Sequence, residues 1–353
     1  MPYIAGATTA TPPNVLEQRD AKRFAEQLFG GEARHLLPVF DNALIDRRYF
    51  ATEMDWFFQP HTFTESNDRY IEASLALAEE VVTKLAEQCA IETEAFDAIF
   101  FVSTTGLSTP SIDARLFNKI RLHSHIKRIP IWGLGCAAGV AAVARASEYV
   151  RAFPKHRALV VSIELCSLAY QLGNRSKSNI IAAALFGDGA AACMVAGDEV
   201  PHPKHDLAQP AILGSLSTTY PNSLDVMGWR ITSEGFKIVL SKNIPSIVTG
   251  LVRENIGELL DAYNLTVPQI KHYLTHPGGA KVLEAYAEAL ALTQGELQPS
   301  LDVLRNFGNM SSATVFFIME QVLRETSGNH GEHGLASALG PGFSSELVLL
   351  QWD

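Results

Sequence analysis

The sequence predicts an α/β protein of two similar halves with mostly parallel sheets. Three observations predict it. Apolar runs of strand length alternate with longer amphipathic runs of helix length along the whole chain. A polar, proline-rich segment at residues 198–210 (DEVPHPKHDLAQP) interrupts that alternation, placing one half at residues 1–205 and the other at residues 206–353. Each half also carries the same unit: a strand, a glycine turn, and a helix opened by a polar reactive residue. That residue is Cys136 in the first half and Asn309 in the second.

In chain order, residues 3–7 read as a strand and residues 15–29 as a helix. Arg47-Arg48-Tyr49 is a basic pair, read as salt bridges within the fold rather than as a ligand contact. Residues 68–88 form a strong amphipathic helix. The run AIFFV at 98–102 is a buried strand leading into Ser103-Thr104-Thr105-Gly106, then Pro110 and a helix over 111–122. The run 129–132 is a buried strand and Gly133-Leu134-Gly135 a tight turn, after which Cys136 opens an alanine-rich helix. Residues 158–165 are a strand followed by Cys166. Residues 180–185 lead into the turn Phe186-Gly187-Asp188-Gly189, before a strand at 191–195. The second half reads as strands at 212–217 and 236–240 and a long helix at 243–263. A strand at 272–274 then ends in Thr275-His276-Pro277-Gly278-Gly279. Asn306 to Ser312 opens a helix reaching about Arg324. Residues 335–350 close as strand, Gly340-Pro341-Gly342 turn and strand.

The 353 residues are 47% hydrophobic and 19% charged, a soluble globular composition long enough for two domains or one fused core. The net charge of −10, with no Lys/Arg-rich run, argues against nucleic acid or an anionic membrane as partner. The first residues lack the basic region of a signal peptide. The longest apolar stretch, 180–196, is broken by Gly187-Asp188-Gly189 and is too short to span a bilayer. Four cysteines without CxxC spacing argue against a zinc site or disulfide framework and for a reducing cytoplasm. His202-Pro-Lys-His205 and His330-Gly-Glu-His333 lie in polar segments and read as solvated surface histidines, so no metal is expected.

A helix start such as that at Cys136 offers unpaired N–H groups and a positive dipole end, which favour a thiolate. Cysteine, histidine and an amide orienter together make a thiol-nucleophile site. Here Cys136 (GLGCAAG), His276 (THPGGA) and Asn309 (FGNMSSAT) each sit in a glycine-flanked turn. Such turns at strand ends are where α/β folds present catalytic groups. Taken singly, Cys136 reads as a small core hydrophobe, His276 as a helix cap and Asn309 as an N-cap. As a set they are more specific.

Cys136 in GLGCAAG, Phe186 in LFGDGA, His276 in HPGG, Asn309 in GNMSSAT and the late Gly340-Pro341-Gly342 occur in one order. In that order and spacing the chain resembles the type III polyketide synthases, the chalcone-synthase-like enzymes, over essentially its whole length. FGDGA and GN-S-A are shared with ketoacyl synthase III enzymes; HPGG with GPG narrows the likeness. The resemblance implies a homodimer with the five-layered αβαβα thiolase fold and a buried site at the end of a coenzyme A tunnel. It implies that Cys136 takes an acyl group from an acyl-CoA starter and that His276 holds its thiolate as an ion pair. It further implies that His276 and Asn309 bind the malonyl-CoA thioester oxygen while decarboxylation builds an enolate. Phe186 would shield the site. No cofactor is implied, because decarboxylation itself supplies the carbanion.

Matching the same motifs places Thr104, Thr105, Cys166, Ala169, Leu185, Trp229, Ile238, Ser311 and Leu339 around the cavity. Thr109 would reach the partner subunit's pocket, and Arg34 is the candidate for the CoA phosphates. Cys166 and Ala169 stand where the plant pattern has threonine, and Ile238 where it has phenylalanine, which makes that wall aliphatic. Trp229, where the plant pattern has glycine, narrows it. With IPIWGLGC and ELCSL resembling the bacterial alkylpyrone and alkylresorcinol branch, the expected starter is a long-chain acyl-CoA extended by two or three malonyl units. Starter identity, lactone or aldol closure, and CoA or carrier-protein delivery stay open. The rivals are a single-extension ketoacyl synthase III-like enzyme, a Cys-His-Asn thiol hydrolase of papain type and a silent dimeric scaffold.

Overall fold

The computed structural model of the chain describes residues 1–170, 174–241, 244–326 and 329–352. Its strands are β1 (Tyr3–Ala10), β2 (Asn14–Glu17), β3 (Arg47–Phe50), β4 (Ala98–Val102), β5 (Lys127–Ile131), β6 (Arg157–Leu165) and β7 (Asp188–Ala196). The second half adds β8 (Ala211–Thr219), β9 (Met227–Thr232), β10 (Gly235–Leu240), β11 (Ile270–Thr275), β12 (His333–Gly340) and β13 (Ser344–Gln351). Nine form one sheet in the order β11-β12-β13-β8-β1-β7-β6-β4-β5. The run β5-β4-β6-β7-β1 places the third, second, fourth, fifth and first sheet strands of its half side by side. The run β11-β12-β13-β8 repeats that order without the outermost strand. The two runs join where Tyr3 faces Ala211.

Side chains alternate across a strand, so each central strand feeds two cores. On β7, Ala191, Cys193 and Val195 face one core, and Ala190, Ala192, Met194 and Ala196 the other. The core shared by both halves is filled by the helices Ala138–Ala152 and Thr314–Glu325. Alanines at 138, 141, 142, 144 and 146 leave the first of these thin enough to lie between the two halves of the sheet. Helix Phe63–Gln88, started by a reciprocal Thr62–Glu65 cap, covers the outer face of the first sheet half. Helices Ile244–Asp261 and Ala280–Leu290 cover the outer face of the second. The layers therefore run αβαβα, the thiolase-like arrangement.

The expectation of mostly parallel pairing is corrected. Among the described strand pairs of the nine-stranded sheet, β4–β5, β4–β6 and β11–β12 are parallel. Pairs β1–β7, β1–β8, β6–β7, β8–β13 and β12–β13 are antiparallel. A strand buried on both faces reads as a continuous apolar run whichever way its neighbour points, and the tight turn after Gly340 forces a hairpin. Locally, residues 14–17 are a strand ahead of helix Gln18–Phe29. The helix expected over 111–122 ends at Leu116, and 180–185 belong to helix Lys177–Leu185. Asn243, the expected start of a helix, lies outside the described residues. Among the described residues no helix is long and apolar enough to cross a membrane.

Candidate active site

Cys136 lies in the single 3-10 turn Gly135–Ala137, one step ahead of the helix Ala138–Ala152. The closing turn of the chain packs on it: a Cβ on Gly340 would come within 2.6 Å of the Ala137 side chain, so only glycine fits there. His276 follows β11, its backbone N–H donating to the Ser337 carbonyl at 2.8 Å. Asn309 is fixed on every side. Its N–H donates to the Leu185 carbonyl at 2.9 Å and its carbonyl accepts from Gly187 N–H at 3.0 Å. Its side-chain Nδ2 donates to the Gly278 carbonyl at 3.1 Å, and its Oδ1 accepts the Ser311 N–H at 2.8 Å.

These turns meet around one cavity of about 530 Å³. Cys136, His276, Asn309, Phe186, Leu185, Ser311, Trp229, Ile238, Leu339 and Pro341 all line it. Cys136 Sγ lies 3.6 Å from Ser311 Oγ. Burial pushes the thiol up to about 12, with the Ser311 hydroxyl pulling it down and the Glu164 carboxyl adding to the rise. Burial also holds the His276 imidazole down at about 4. Among the described residues, both ring nitrogens of His276 lack a hydrogen-bond partner. Burial acts on each group in the direction of its neutral form.

Other expected residues stand off the cavity. Thr104 and Thr105 turn to Glu164: Thr104 N–H and Oγ1 donate to it at 3.0 and 2.8 Å, and Thr105 Oγ1 at 3.0 Å. Cys166 is buried behind the wall, packed with Ala182 and Phe186. Ala169 lines a separate cavity of about 200 Å³ with Trp56, His61 and Phe236. Gly340 and Gly342 form the turn behind Pro341 and do not line the cavity. Thr109 is exposed on the loop after β4. Arg34 is exposed and pairs with Glu26 at 3.4 Å; its charge is spent locally. Two exposed lysines line the cavity instead, Lys177 and Lys281, and neither pairs with a carboxylate among the described residues. His202 stacks on Tyr3 and His205 bonds the Ala5 carbonyl at 2.8 Å, so these two are structural rather than simply solvated.

Glu164 escaped the sequence reading. It is fully buried and accepts from Ser312 Oγ as well as the two threonines. Burial raises its carboxyl above the usual range, and those donors oppose the rise. The signal was available: one carboxylate inside the otherwise apolar strand ALVVSIEL.

A half-buried thiol, an imidazole and an oriented amide sharing an apolar cavity, on a five-layered αβαβα frame, define a thiolase-fold condensing enzyme. Residues 212–352 match the chalcone and stilbene synthase C-terminal domain, and residues 55–263 match the FAE1/type III polyketide synthase-like family. A putative chalcone synthase of Bacillus subtilis (strain 168) is 40% identical over 362 residues, covering 100% of this chain and 99% of that protein. The alpha-pyrone synthesis polyketide synthase-like Pks18 of Mycobacterium tuberculosis is 28% identical over 355 residues, covering 98% and 90%. The crystal structure of 1,3,6,8-tetrahydroxynaphthalene synthase from Streptomyces coelicolor A3(2) superposes with a TM-score of 0.91 at 26% identity, covering 99% of each chain. The chain belongs to the type III polyketide synthases, and is an acyltransferase that carries out condensation.

Proposed function

We propose that this enzyme loads a medium- or long-chain acyl-CoA on Cys136, extends it with malonyl-CoA and releases an alkylpyrone or alkylresorcinol. The observation that carries the reading is the cavity itself: Cys136, His276 and Asn309 share it with an aliphatic wall that includes Leu185, Ile238 and Leu339. Cys136 Sγ attacks the starter thioester while its proton passes to His276 Nε2, and CoA leaves with that proton. Malonyl-CoA then binds with its thioester oxygen toward His276 and Asn309. Loss of CO2 leaves an enolate whose charge falls on that oxygen, and fixed donors in a dry site lower its energy. The enolate carbon attacks the Cys136 thioester, freeing the thiolate and leaving a β-ketoacyl-CoA that reloads. Attack of an enol oxygen on the chain's own thioester closes the pyrone. No metal or organic cofactor takes part in these steps.

Lys177 and Lys281, exposed on the cavity lining, take the role toward the CoA phosphates that was expected of Arg34 in this reading. Similarity to the mycobacterial alpha-pyrone synthesis polyketide synthase-like Pks18 supports pyrone closure. Trp229 in the wall of this chain's cavity, together with similarity to the 1,3,6,8-tetrahydroxynaphthalene synthase, supports a second reading in which the starter is short. A homodimer fits the exposed edge strand β5, with Trp132 just after it 48% exposed. Four free cysteines fit a reducing cytoplasm. The test is incubation of purified protein with malonyl-CoA and starters from acetyl-CoA to stearoyl-CoA and coumaroyl-CoA, with products read by mass. Long-tailed pyrones or resorcinols support the reading. Products from aromatic or short starters alone overturn its substrate half, and turnover only of carrier-protein substrates overturns it altogether.

A further inference from the structure

Arg48, half of the basic pair read as a salt bridge, has no carboxylate oxygen within 4 Å among the described residues, yet it is fully buried. A buried charge is costly unless its hydrogen bonds are placed to some purpose. Its Nη1 donates to two carbonyls, Ala183 and Phe186, both at 2.7 Å. These are the last turn of helix Lys177–Leu185 and the residue after it, where a positive charge also meets the negative end of the helix dipole. Tyr170 Oη donates to the same Phe186 carbonyl at 2.8 Å. The stem of Arg48 lies against the neighbouring turn: a Cβ on Gly308 would come within 2.7 Å of Arg48 Cγ and 2.8 Å of Cδ. Gly308 has φ +72°, immediately before Asn309. Phe186 and Asn309 are themselves joined in an isolated parallel bridge. One side chain therefore grips the Phe186 turn with its head and backs the Asn309 turn with its stem.

We infer that Arg48 is a positioning residue for decarboxylation, setting the Phe186 ring and the Asn309 amide at a fixed separation in the cavity wall. This rests on the condensing mechanism proposed above. A displacement of one of two donors by a fraction of an ångström weakens their joint hold on the enolate oxygen, whereas the thiol of Cys136 is carried by a different turn. Arg48 never touches substrate.

The experiment compares wild type, Arg48→Met and Arg48→Lys by two readouts: CO2 release from malonyl-CoA, and alkylation of Cys136 by iodoacetamide. The expected result is a loss of CO2 release of about tenfold or more in Arg48→Met, with alkylation within about twofold of wild type. Arg48→Lys recovers part, since the ammonium restores the charge and a donor toward these carbonyls but not the longer planar guanidinium that reaches both from one nitrogen. Parallel loss of both readouts assigns Arg48 a merely structural role and overturns the inference, as does unchanged CO2 release. If Arg48→Met does not fold, Tyr170→Phe decides: it removes the second donor to the Phe186 carbonyl and should show the same split, smaller in size. Unchanged CO2 release there overturns the inference. A wild-type protein that releases no CO2 overturns the condensing mechanism, and the inference with it.

Discussion

Cys136 Sγ and Ser311 Oγ, 175 residues apart in the chain, face each other at 3.6 Å where the two halves of the molecule meet. The hydroxyl is one of the influences lowering a thiol that burial drives up to about 12. Thiol alkylation follows the thiolate fraction. The rate at Cys136 should therefore climb about tenfold per pH unit from about pH 6 to about pH 9 without levelling. Ser311→Ala should slow it about two- to fivefold at fixed pH. A plateau below about pH 7 would instead reveal a preformed ion pair with His276.

His276 carries a stability signature. Its pKa falls from 6.5 in the unfolded chain to about 4 in the buried site. The unfolded state therefore binds more protons between those values, so the stabilising contribution is complete above pH 6.5 and is lost as the pH falls toward 4. At 1.36 kcal/mol per unit, wild type should lose about 3 kcal/mol over that window relative to His276→Asn. Asp188, raised to about 6 by burial, works in the opposite sense in both proteins and cancels in the comparison. Equal acid limbs in denaturant titrations would contradict the burial argument.

Asn309 does two jobs that substitution separates. Asn309→Asp keeps the oxygen that accepts the Ser311 N–H and loses the Nδ2 donor. It should lower malonyl-CoA decarboxylation by about 10²–10³-fold, and lower the thermal midpoint too, because a carboxylate oxygen then faces the Gly278 carbonyl. Decarboxylation within tenfold of wild type would remove Asn309 from the oxyanion role.

Cavity shape should set product length. Trp229 and Ile238 face each other in register on β9 and β10, and both line the cavity. Trp229→Gly should raise the longest starter accepted. Ile238→Phe should shift kcat/KM toward shorter starters by about tenfold or more, since overfilling an apolar wall costs roughly 1–3 kcal/mol. Identical starter profiles would mean the tail lies elsewhere.

Much of this was legible in the sequence because it is local. Strand runs, the glycine turns and the Cys, His and Asn within them are written in adjacent residues, and the fold brings those three turns to one cavity. Strand direction was not legible: β7 is apolar on both faces and gives no sign that its neighbours run opposite to it. Side-chain direction was hidden too. Ala169 shares the short turn with Cys166 but opens onto a different cavity, and Arg34 finds Glu26 before any phosphate. Arg48 and Glu164 are charges whose partners are backbone carbonyls and hydroxyls far away in sequence, and no spacing rule announces such partners.

The central claim is that Cys136 carries the growing chain. Intact-protein mass spectrometry after brief exposure to a long-chain acyl-CoA, then malonyl-CoA, tests it most directly. The account predicts a mass gain equal to the acyl group, located on the peptide containing Cys136 and absent in Cys136→Ala, with ketide-extended forms appearing once malonyl-CoA is added. Extended product released by Cys136→Ala, or an acyl group found on another residue, would contradict it.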